Sequence, residues 1–206
     1  MRLLLTGFEK FGDLPLNPAE LVVRALARDP AIPDLVVEVL PTVYDAAGAR
    51  IRALLERHRP DLLLMTGVAA KRMEINLERV ALNLDDADKP DNAGVLRTDA
   101  AIEPQGPLAR RTTCDLAPAL AALRAAGIPA VISNHAGGFV CNHTYYCALA
   151  HRTPAVFVHL PMVNADWTVE RLTQGIRLVI GALAPQMRRR DSTNGDAILN
   201  SIVRLG

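Results

Sequence analysis

Asp61 to Gly67, D-L-L-L-M-T-G, is an uninterrupted apolar run closed by turn-forming residues. A strand wetted on one face alternates polar and apolar side chains; a run apolar at nearly every position predicts a strand covered on both faces, at the centre of an α/β sheet. The preceding sequence supports this. Pro60 stops a segment, Ala46 to His58, that sets Ile51, Leu54 and Leu55 on one helical face, and Leu35 to Val39 before it is a valine- and leucine-rich strand closed by Pro41. Arg2 to Thr6 forms a first short strand ending at Gly7, and Asn17-Pro18 opens a helix with Leu21, Val22, Ala25 and Leu26 at helical spacing.

Downstream, Met73 to Leu84 alternates in two registers, which predicts an extended segment bent at Glu78. Asp85 to Gly106, with Pro90, Gly94 and Pro104, reads as a long loop with room for a small hairpin. Four further elements follow: a helix over Asp115 to Ala126 ended by Gly127, a strand over Ile128 to Ile132, a helix over Phe139 to His151 and a strand over Ala155 to Leu160. A last amphipathic helix runs from Trp167 to Ala182. Strands alternating with helices predict a single-domain, three-layer α/β/α sandwich with a mainly parallel, twisted central sheet.

The 206 residues, half of them hydrophobic, suffice for one domain with a sizeable core. Basic and acidic residues number 23 and 22, are scattered, and leave a net charge of +1, which argues against nucleic acid or an anionic membrane as partner. Arg188 to Arg190 form the one basic run, read as charges complementing the end of a helix. No apolar run approaches the roughly 20 residues of a membrane helix, and M-R-L-L-L-T-G is too short to be a secretory signal, so a cytoplasmic location is expected. Cys114, Cys141 and Cys147 are odd in number and lack C-x-x-C spacing, the pattern of reduced thiols.

The most specialised stretch is Ser133 to Tyr146, S-N-H-A-G-G-F-V-C-N-H-T-Y-Y. Read as a β-α-β crossover, the strands at Ile128 and Ala155 are parallel neighbours, so the start of the intervening helix and the strand end at His159 share one sheet edge. That placement brings Cys141 and His159 together. Cys141 falls in the first helical turn, where unpaired N–H groups and the dipole favour a thiolate and would receive an oxyanion. Glu78 or an aspartate of Asp85 to Asp91 is the candidate to orient the imidazole.

Other readings compete. Free cysteine is most often a buried core residue, the reading given to Cys147. A metal site built from Cys141, His135, His143 and His159 lacks a zinc-like spacing. His143, two positions after Cys141 and on a different side of the helix, is expected to cap the helix or meet solvent rather than pair with the Cys141 thiol.

Five ordered blocks, T-G-F-E-K-F-G (Thr6 to Gly12) with Asn17-Pro18, E-R-V-A-L-N (Glu78 to Asn83), P-D-N-A-G (Pro90 to Gly94), A-G-G-F-V-C-N-H (Ala136 to His143) and F-V-H-L-P (Phe157 to Pro161), resemble the pyrrolidone-carboxylate (pyroglutamyl) peptidases. The resemblance implies a cysteine peptidase that removes amino-terminal pyroglutamate from peptides through a Cys141-His159-Glu78 triad and a thioester, with no metal or organic cofactor. It also implies an apolar substrate site made by Phe8, Phe11, Asn17, Val68, Phe139 and Val140, and a homo-oligomer, dimer or tetramer. Several residues depart from the family pattern: Val68 for a glutamine, Ala70-Lys71 for a glycine pair, Asp88-Lys89 for an arginine followed by an apolar residue, Gly138 for a threonine and Met162 for a tyrosine. These departures keep open a member acting on another small amide or thioester, and a non-catalytic lactam-binding protein.

Overall fold

The structure, a computed structural model, describes residues 1–12 and 16–203, with side chains described as far as Arg189. In chain order the elements are β1 (Leu3–Phe8), α1 (Pro18–Leu26), β2 (Leu35–Leu40), α2 (Tyr44–His58), β3 (Leu62–Val68), β4 (Ile75–Glu78), β5 (Val80–Leu82), β6 (Ala109–Arg111), α3 (Ala117–Ala125), β7 (Ala130–Ser133), α4 (Val140–Leu149), β8 (Ala155–Leu160) and α5 (Val169–Val203). Six strands form the main sheet in the order β2-β1-β3-β8-β4-β7, and β5 pairs with β6 in a separate ribbon. The fold is α/β with a mainly parallel central sheet.

Strand periodicity sorts side chains to two faces. Leu62 and Leu64 of β3, Ile75 and Leu77 of β4, and Val156, Val158 and Leu160 of β8 pack with α1, α3 and α5. Leu63 and Met65 of β3, Phe157 of β8 and Phe8 of β1 pack with α2 and α4. By the same alternation Gly67, Glu78 and His159 belong to the α2/α4 face.

Several sequence expectations are corrected. The strands flanking α4 are not parallel neighbours: β4 lies between β7 and β8, parallel to β7 but antiparallel to β8. The bend expected at Glu78 comes one residue later, where the chain leaves the main sheet for β5. Asp85 to Gly106 carries only an isolated bridge, Asp85 to Ala100, rather than a hairpin. Arg188 to Arg190 lie within α5, which continues to Val203, so they do not close a helix; the side chain of Arg190 is outside the described residues. Gly7 and Gly67 sit inside strands rather than ending them, because other groups come too close for a side chain. A Cβ on Gly7 would stand 2.7 Å from the carbonyl oxygen of Ala19 in α1.

Candidate active site

The antiparallel insertion of β4 sets Glu78 beside His159. In the β4–β8 register Asn76 is opposite His159 and Glu78 is opposite Phe157. Glu78 is therefore the diagonal neighbour of His159 on the same face, within reach of a long side chain. The two meet: His159 Nδ1 lies 2.8 Å from Glu78 Oε1, with both residues buried. The same Oε1 accepts from Arg72 at 2.6 Å, so the buried carboxylate faces an arginine as well as the imidazole. No aspartate of the Asp85 to Asp91 loop takes that position.

Cys141 reaches this pair from above the sheet. Gly67 of β3 is the register partner of His159, and a Cβ built on Gly67 would stand 2.9 Å from Cys141 Sγ and 2.8 Å from the Phe157 ring. The missing side chain is the space that holds the sulfur. Cys141 is the second residue of α4, whose N-cap, Phe139, supplies no side-chain cap. The first helical bond here runs from His143 N–H to the Phe139 carbonyl at 3.1 Å, and the N–H groups of Val140, Cys141 and Asn142 precede it.

The electrostatics of the thiol differ from expectation. Burial above all, then the negative charge of Glu78, push Cys141 up to about 12, while its own backbone N–H and the charge of Lys89 pull the other way. At neutral pH the site favours a neutral thiol over a standing thiolate. The helix N-terminus is present, but desolvation and a buried carboxylate outweigh it.

Cys141 and His159 line a cleft of about 600 Å³ with Val68, Asp86, Asp88, Lys89, Gly138 and Phe139. Beside it a smaller cavity of about 110 Å³ is bounded by Phe8, Phe11, Asn17, Thr42, Val68 and Phe139, with Cys141 at its edge. Phe11 and Phe139 meet edge to face at 4.9 Å. Asn17 caps α1 by accepting from Ala19 N–H at 2.9 Å and donates to the Glu9 carbonyl. Val140 is fully buried in the core, and its side chain lines neither cavity.

His143 corrects another expectation. It is 4% exposed, with Nδ1 2.8 Å from Asp85 Oδ2, and it also hydrogen-bonds Cys147. His135, at the loop surface, accepts from Gly137 N–H. Sequence reading missed Arg72 and Thr42 as site groups. Arg72 lies in a loop between β3 and β4 with no periodic signal, and Thr42 precedes α2 as one small polar residue among many.

The family model for pyroglutamyl peptidase matches residues 1–177. The pyrrolidone-carboxylate peptidase of Gloeobacter violaceus is 46% identical over 198 residues, covering 89% of this chain and 97% of that protein. That of Cupriavidus taiwanensis is 40% identical over 196 residues, covering 86% and 90%. Among solved structures, Bacillus amyloliquefaciens pyroglutamyl peptidase I superposes with a TM-score of 0.84 at 31% identity, covering 90% of this chain and 98% of that one. A mutant pyrrolidone carboxyl peptidase of Pyrococcus furiosus gives 0.83 at 30% identity, covering 91% and 100%. Likeness of this extent in sequence and fold means that the chain belongs to the pyroglutamyl peptidase family.

Proposed function

We propose that Cys141, His159 and Glu78 carry the reaction of the family, cysteine-type hydrolysis that releases an amino-terminal pyroglutamyl residue from a peptide. The observation behind this reading is the convergence of the Cys141 thiol and a carboxylate-held His159 on one cleft that opens into the phenylalanine cavity.

Glu78 fixes the imidazole with its proton on Nδ1, leaving Nε2 as the base. Because the resting thiol is neutral, His159 removes its proton as sulfur attacks the pyroglutamyl carbonyl. The N–H groups at the start of α4 receive the oxyanion. His159 then returns the proton to the departing amine, the peptide's new amino terminus, and water hydrolyses the thioester to free pyroglutamate and thiol. Phe8, Phe11 and Phe139 enclose the five-membered ring, and the small cavity disfavours longer side chains.

The test is release of a chromophore from a pyroglutamyl amide, with Cys141→Ala as control. Release by the native chain and none by the variant is the expected result. A folded native chain that binds the amide without cleaving it would make the protein a lactam binder, and a stronger preference for another blocking group would make it a divergent hydrolase.

Cytoplasmic residence and a homo-oligomer remain part of this reading on sequence grounds. No described helix is long and apolar enough to cross a membrane. Size-exclusion chromatography with light scattering tests the oligomer.

A further inference from the structure

Among the described residues, the small cavity has few polar side chains to offer a ligand. Phe8, Phe11, Val68, Ala70 and Phe139 carry no hydrogen-bonding side-chain atom. Asn17 is engaged at both ends, its Nδ2 donating to the Glu9 carbonyl and its Oδ1 accepting from Ala19 N–H, each at 2.9 Å, which leaves a single amide proton. Thr42 Oγ1 gives its proton to the Glu9 carbonyl at 3.2 Å. A pyroglutamyl ring nevertheless brings a carbonyl oxygen, and enclosing such a group without a donor is costly.

Among the described residues Lys89 is the one cation lining this cavity, and it also lines the cleft with Cys141 and His159. Its ammonium stands 4.3 Å from the centre of the Phe11 ring and 5.8 Å from that of Phe139, over the aromatic faces that enclose the cavity. The backbone around it is held firmly. Upstream, Asp86 N–H donates to the Gly138 carbonyl at 2.8 Å and Ala87 N–H to the Arg97 carbonyl at 3.0 Å. Downstream, the Asp91 carboxylate accepts from Tyr44 N–H at 3.1 Å and from Ala93 N–H at 2.9 Å. A fixed base with a flexible four-carbon stem and three donors suits a group that meets its ligand as it enters.

We infer that Lys89 is a specificity-determining residue whose ammonium hydrogen-bonds the ring carbonyl oxygen of the bound lactam, making the pocket select a carbonyl-bearing ring over an all-carbon ring of equal size. The inference rests on the pyroglutamyl reading above and adds to it the group that recognises the ring.

The test compares a pyroglutamyl amide with the matching cyclopentanecarbonyl amide, the latter as substrate or as competitive inhibitor of the former. Both are measured with the native chain, Lys89→Met and Lys89→Arg. Lys89→Met is expected to raise KM for the pyroglutamyl amide by about 10- to 100-fold, the range for a hydrogen bond from a charged donor. Its kcat should change much less than its KM, and binding of the cyclopentane compound should not change. Lys89→Arg keeps most of the discrimination. An equal loss on both rings, or a shifted pH profile with KM unchanged, would overturn the inference and assign Lys89 to the sulfur. A lower KM in Lys89→Met would overturn it in favour of a plug. Failure of the native chain to cleave the pyroglutamyl amide would remove the underlying reading; native cleavage with unchanged ring discrimination in Lys89→Met would remove the Lys89 inference alone.

Discussion

Two Cys-His-carboxylate groups lie along α4. In one, Cys141 stands near His159, whose Nδ1 is 2.8 Å from Glu78, and Glu78 in turn pairs with Arg72. In the other, Cys147 contacts His143, whose Nδ1 is 2.8 Å from Asp85, and Asp85 pairs with Arg97. Each has a glycine beneath it: a Cβ on Gly67 would press on the Cys141 sulfur at 2.9 Å, and one on Gly48 on His143 Nε2 at 2.9 Å and the Cys147 sulfur at 3.2 Å. The histidines are equally buried, 5% exposed for His159 and 4% for His143.

What differs is the thiol. Cys141 is half-buried and lines a cleft, whereas Cys147 is 1% exposed and accepts from Arg52 under α2. Matching residue types and matching distances are therefore insufficient for chemistry. Room for a substrate carbonyl beside the sulfur separates a reactive group from a packing device. The inner group instead ties α4 to the Asp85 loop and, through Arg97 and Asp45, to α2.

The largest test of this contrast is the pair of cysteine variants. Cys141→Ala is expected to lower kcat by roughly 10⁴- to 10⁶-fold, the scale for loss of a nucleophile, while Cys147→Ala keeps kcat within about threefold and lowers thermal stability. Loss of activity in a folded Cys147→Ala would erase the distinction. Next come the carboxylates. Glu78→Gln should cost about 10⁴-fold in kcat through loss of the oriented imidazole. Asp85→Asn should leave kcat largely intact and destabilise the fold by about 3 to 5 kcal/mol, the cost of breaking a buried ion pair, as read from denaturant unfolding.

A pH experiment addresses His143 alone. Burial acts to lower its pKa, but the hydrogen bonds and charges of Asp85 and Cys147 outweigh burial and raise it to about 9 from 6.5. A pKa raised by folding stabilises when the group is protonated. The contribution, on the order of 3 kcal/mol at about 1.36 kcal/mol per unit, is complete below about pH 6.5 and gone above about 9. Unfolding free energies measured across that window should fall with rising pH, and the slope should flatten in His143→Gln; an unaltered slope would assign the titration elsewhere.

The glycines give the finest test. Gly67→Ala should lower kcat by about 100-fold by displacing the sulfur. Gly48→Ala should cost about 1 to 3 kcal/mol of stability from overpacking and little activity. Reversed effects would exchange the roles of the two groups.

The buried strands were legible because β1, β3 and β8 are apolar on both faces. β4 was harder: I-N-L-E looks half-exposed, yet all four residues are buried, because Asn76 and Glu78 point into the site face rather than to water. Its position between β7 and β8 had no local signal, since adjacency in sequence is only a tendency toward adjacency in space. β6, A-R-R, is three residues long with a partly exposed pattern, too short to show periodicity. Cys141 and His159 could be paired from helix and strand ends, although the crossover invoked for them was wrong. Glu78 was one of several candidate carboxylates, and only the family resemblance singled it out. His143 was misread because its partner, Asp85, is 58 positions away and leaves no spacing signal.

The place of β8 in the sheet also sets an order of assembly. Residues up to Ser133 contain β2-β1-β3 and β4-β7, two partial sheets whose β3 and β4 edges both await β8. Until that strand is synthesised and inserted, two edges stand open to wrong pairing. The strand that closes them is the one bearing His159, so completion of the sheet and arrival of the imidazole beside Glu78 are a single event. A chain stopped before β8 has neither a finished sheet nor a paired base.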